Sequence, residues 1–70
     1  MSIVHERLIY RIGSLVEIIP TSFFSIEQQV KGKVGIITRA PVLPGTLFEV
    51  KIGADFFWVE QSDMKIIAEP

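Results

Sequence analysis

The chain contains no cysteine, one histidine, one tryptophan and one tyrosine in 70 residues. Without cysteine there are no disulfide staples, and the commonest structural zinc sites are excluded. A single histidine, His5, cannot build a histidine metal site alone. An excess of charge is also lacking. Seven bases against eight acids leave a net charge of −1, so no polyelectrolyte partner is advertised. No apolar run approaches the roughly 18 residues that span a bilayer. Glu6 and Arg7 interrupt the N-terminal stretch where a signal peptide would be continuously apolar. The expectation is a soluble, intracellular protein.

What is present is apolar bulk, 49% of the chain, much of it isoleucine and valine. The β-branched bias favours strands. A chain of this length forms one domain and buries only about 60% of its unfolded surface. The apolar share therefore exceeds what one small core hides, which points to oligomerisation or docking onto a partner.

Turn formers divide the chain at Gly13-Ser14, Pro20-Thr21-Ser22, Gly32, Pro41 to Gly45, and Gly53. Between them lie short runs expected to be strands: Leu15 to Ile19, Lys33 to Arg39, Leu47 to Ile52, Phe56 to Glu60 and Met64 to Ala68. In the second run Val34, Ile36 and Thr38 share one face, taken as the core face. In the third, Phe48, Val50 and Ile52 alternate with Glu49 and Lys51.

The fourth run is ambiguous alone, because Phe56, Phe57, Trp58 and Val59 are consecutive. Hairpin parity resolves it. A two-residue loop at Gly53-Ala54 puts glycine where a type II′ turn wants it. Ile52 then pairs with Asp55, Val50 with Phe57 and Phe48 with Val59. Phe56 and Trp58 fall on the outer face, opposite Lys51 and Glu49. The predicted core is Val16, Ile18, Val34, Ile36, Phe48, Val50, Phe57, Val59 and Ile66, with Glu49, Lys51 and Glu60 exposed.

Gln61-Ser62-Asp63 reads as one tight turn. In the long loop Thr21 to Lys31, Ser25-Ile26-Glu27-Gln28 fits a capping box, so a one-turn helix is expected there. The alternation Leu8, Tyr10, Ile12 suggests an extended lead-in, with a short helix over Ile3 to Leu8 as the rival.

This order of elements resembles the SH3-like small β-barrel, all-β and five-stranded, with residues 1–12 as an N-terminal extension and 13–68 as the barrel. Gly32-Lys33-Val34-Gly35-Ile36-Ile37 looks like the glycine-valine element in the second strand of such barrels. Phe57-Trp58-Val59-Glu60-Gln61-Ser62-Asp63-Met64 looks like their closing signature. Short barrels with this ending are similar to uncharacterised proteins of tailed, particularly marine, phages. Gly13 to Pro20, with Ser22-Phe23-Phe24 and Gly32 to Gly35, is also similar to the small stromal barrel subunit of photosystem I. The phage resemblance implies the cytoplasm of a bacterium or an infected host cell.

Phe56 and Trp58, with Phe23 and Phe24 in the long loop, are the candidate partner-binding residues, because aromatics serve as interface anchors. The rival is that these rings pack beneath the N-terminal segment. Lys31, Lys33, Arg39 and Lys51 are the candidate nucleic-acid contacts on one outer face, though the chain has no overall basic field. His5 beside Glu6 lacks a nucleophile or third group, and Asp55 and Asp63 sit in turns where aspartate is common. The glycines precede no phosphate-loop lysine. The expected function is a non-catalytic protein-interaction or structural module without cofactor or metal, of phage type. The alternatives are a small accessory subunit of a photosynthetic or redox complex, and a KOW-like nucleic-acid-binding barrel. Its partner is expected to be another protein or a second copy.

Overall fold

The computed structural model of the chain describes residues 10–22 and 26–70. The fold is all-β: one five-stranded antiparallel sheet and two short 3-10 turns. Its strands are β1 (Leu15–Ile18), β2 (Val34–Arg39), β3 (Leu47–Ile52), β4 (Asp55–Glu60) and β5 (Met64–Ala68). The 3-10 turns are Ile26–Val30 and Gln61–Asp63. All five strands fall where the turn formers placed them, within a residue at each end. The helical turn expected at Ser25 to Gln28 lies at Ile26–Val30 and is of the tighter 3-10 kind.

The strand order is β4-β3-β2-β1-β5. The sheet is open, because β4 and β5 occupy its two edges and do not pair with each other. The barrel expected from the sequence is therefore not closed. The four ladders present are all antiparallel, with register shifts at Leu15/Val16 and Ile37/Arg39, and none joins β4 to β5.

The β3–β4 hairpin shows how local chemistry sets register. Ile52 pairs with Asp55, Val50 with Phe57 and Phe48 with Val59. Gly53 has φ +62° and Ala54 has no positive φ, which excludes a type I′ turn and leaves type II′. Alternation then sends Phe48, Val50, Ile52 and Val59 into the core, joined by Val16, Ile18, Val30, Ile37 and Met64. Phe57 and Ile66, expected to be buried, are only half-buried: they pack against the margin of the core, whereas Val59 and Met64 on the same two strands lie within it.

The face expected for β2 is overturned. Val34 and Ile36 are exposed, whereas Gly35 and Ile37 are buried. Gly35 lies opposite Val16, and an added Cβ there would stand 2.6 Å from Val50 and 2.7 Å from Ile52 side-chain atoms. The core face of β2 is thus the glycine face, and the missing side chain lets β3 pack against the strand. Beyond Ile37 the register slips before Arg39. This bulge returns Arg39 to the outer face beside Glu49. Glu49 is half-buried rather than exposed, because Arg39 and Thr38 both cover it.

A candidate protein-docking face

The exposed large apolar residues of the strands all lie on the outer face of the sheet. Register explains the pattern. Leu15 pairs with Ile36, Ile36 with Lys51 and Lys51 with Phe56, giving one cross-strand row. The Lys51 stem bridges the apolar members, and its ammonium lies 5.9 Å from the Phe56 ring centre, within cation–π range. Phe56 is 55% and Trp58 51% exposed, as parity required.

Beside Trp58 lies an open groove of about 500 Å³. One wall is the loop between β2 and β3, including Pro41, Val42 and Pro44; the other is Leu47, Trp58 and Glu60. Loop and strand are tied where the Thr46 hydroxyl donates to Glu60 Oε1 at 3.0 Å. The loop is itself turned by Gly45 N–H donating to the Val42 carbonyl at 2.7 Å. That turn lifts Val42 and Leu43 almost fully into solvent, at 84% and 89% exposed. At the groove's far end Arg39 Nε stands 3.5 Å from Glu49 Oε1. Thr38 Oγ1 donates to that same carboxylate oxygen at 2.8 Å.

Sequence reasoning identified Phe56 and Trp58 but missed the groove. The signal was there in Pro41-Val42-Leu43-Pro44-Gly45, a loop with apolar residues where polar ones are usual. Phe23 and Phe24 lie outside the described residues. So do His5 and Glu6, together with the question of whether the N-terminal segment packs on the outer aromatics.

The four candidate nucleic-acid bases do not form one field. Arg39 is paired with Glu49, and Lys51 is held over Phe56. Lys33 precedes β2 and Arg39 ends it, so the strand's length separates them. Lys31 lines a different, smaller polar pocket with Pro20, Thr21, Ser22 and Gln28.

Among the described residues, no three His, Cys, Asp or Glu side chains are grouped to hold a metal ion. Among them also, no helix is long and apolar enough to cross a membrane. No family model, curated protein or solved structure matches this chain.

Proposed function

We propose that the chain is a non-catalytic protein-interaction module that docks through the outer face around Phe56 and Trp58. One observation carries the reading: two half-exposed aromatic rings stand side by side on a regular strand, next to a groove walled by a further apolar loop. Scattered exposed apolar residues are normal on a protein surface, but a contiguous patch with a concavity is the usual mark of a docking site. Aromatic anchors at the centre of such patches carry most of the binding energy. The net charge of −1 weighs against nucleic acid as the partner, because such binding draws on a basic field.

The test is affinity capture from the source cell with two baits, the unaltered chain and Trp58→Glu. Retained proteins are identified by mass spectrometry, further copies of the chain included. The reading expects at least one protein to be held by the first bait and lost from the second. Identical retention by both baits would sink it.

A further inference from the structure

We infer that two copies of this chain pair antiparallel through the free edge of β4, so that Phe56 of each copy covers Trp58 of the other. This rests on the interaction-module reading and names the partner of that same surface.

The edge comes first. No described strand pairs with the outer side of β4. Edge strands are usually blunted by proline, lysine, a bulge or brevity. β4 carries charge only at its two ends, Asp55 and Glu60, and between them Phe56-Phe57-Trp58-Val59 runs in unbroken register along β3. The tight turn also fixes which backbone groups are free. Ile52 and Asp55 flank the turn and bond across it, so Asp55, Phe57 and Val59 aim their N–H and C=O at β3. Alternation leaves the N–H and C=O of Phe56, Trp58 and Glu60 pointing out from the edge.

Symmetry then selects the register. A two-fold axis normal to the sheet keeps the outer face continuous from one copy to the next. Registers centred on Phe56, Phe57 or Trp58 all set outer residues opposite outer residues, and of these the one centred on Phe57 stacks ring on ring without setting Trp58 opposite Ala54 or Phe56 opposite Glu60. Centred on Phe57, the pairing puts Phe56 opposite the second copy's Trp58, twice, at positions whose free backbone groups meet. Asp55 then faces Val59 and Glu60 faces Ala54. A slip of one residue would oppose Asp55 to Glu60 and turn outer residues against inner ones, which both charge and parity disfavour.

The groove and its charges fit the same partner. Trp58 and Glu60 line the groove, so the second copy's Phe56 arrives beside it. That ring brings the Lys51 ammonium held above it towards a rim bearing the Glu60 carboxylate. Each aromatic can bury about 150–250 Å², and about half remains available here, so four rings supply roughly 300–500 Å². This falls short of the roughly 1,200 Å² of a stable complex, which makes the dimer weak and concentration-dependent.

Sedimentation velocity on the full chain over a concentration series tests the inference. The expected result is a shift from 7.9 kDa towards twice that mass. Trp58→Glu should weaken association at least about tenfold, as loss of an aromatic anchor does. A synthetic full-length chain with the Phe56 amide N-methylated keeps both rings, blocks the edge and should stay monomeric. Because the chain has no cysteine, single-cysteine variants report register. Phe57→Cys sits on the two-fold, about 4.5 Å from its copy between Cα atoms, and should oxidise to a covalent dimer. Glu60→Cys should not. A chain that stays monomeric at the highest soluble concentration overturns the inference. So does a dimer that survives both N-methylation and Trp58→Glu, or Glu60→Cys cross-linking ahead of Phe57→Cys. A monomer whose captured partners still depend on Trp58 removes self-pairing alone and leaves the interaction-module reading standing. If Phe57→Cys fails to fold, the sedimentation of the unaltered and N-methylated chains decides.

Discussion

Two connections in this protein each invert the usual distribution of polar and apolar residues, and they do so in opposite senses. Between β4 and β5 a charged residue is buried: Asp63 is 8% exposed. Its Oδ1 accepts from the Thr21 N–H at 3.0 Å and from the Thr21 hydroxyl at 2.6 Å. Its carbonyl accepts from Ile19 N–H at 2.7 Å, and the neighbouring Met64 carbonyl accepts from the Tyr10 hydroxyl. Between β2 and β3 the apolar residues Val42 and Leu43 are exposed instead. The first inversion finds its partners within the chain, since a buried carboxylate without them would carry its full desolvation cost. The second finds none among the described residues. The contrast separates a connection that holds the fold from one that faces outward.

Three single substitutions and one double-mutant cycle test that contrast. The largest effect is expected from Phe48→Ala. The Phe48 ring supports Tyr10, whose ring centre is 5.9 Å away, and so underlies the hydrogen-bonded connection. Thermal or denaturant unfolding should show a loss of about 3–5 kcal/mol, a large part of a small domain's stability. Next comes Asp63→Ala, which removes the acceptor of both Thr21 hydrogen bonds and should cost about 1–3 kcal/mol by the same measurement. A double-mutant cycle with Thr21→Val should show strong coupling; additive losses would mean that the two side chains act independently. The smallest effect is expected from Leu43→Ser, within about 0.5 kcal/mol of the unaltered stability. A clear loss there would show that the outward loop supports the fold after all, and the contrast would fail.

The register of the β3–β4 hairpin was legible in the sequence, because a two-residue turn and a period of two leave a single parity. Gly53 and the pattern of Leu47 to Glu60 were enough to place Phe56 and Trp58 outside. β2 was misread for a physical reason. Counting apolar side chains favours Val34 and Ile36, but Gly35 faces inward with no side chain to count. A glycine within a strand signals close approach of neighbouring atoms, and that signal outranked the count. The bulge at Thr38 and Arg39 was invisible for a related reason: the irregular β2–β3 loop sets no parity that a sequence could transmit. Asp63 was legible as a turn residue only. Its partner Thr21 lies 42 positions away, and no local pattern encodes that contact.

The exposed position of Trp58 has an optical consequence. It is the sole indole in the chain and stands half in water at the lip of the groove, on the face where a partner would settle. Its emission should begin between the extremes of a buried and a fully hydrated tryptophan and move to shorter wavelength when that face is covered. The protein therefore carries an intrinsic, label-free signal for occupancy at the one place where occupancy is in question.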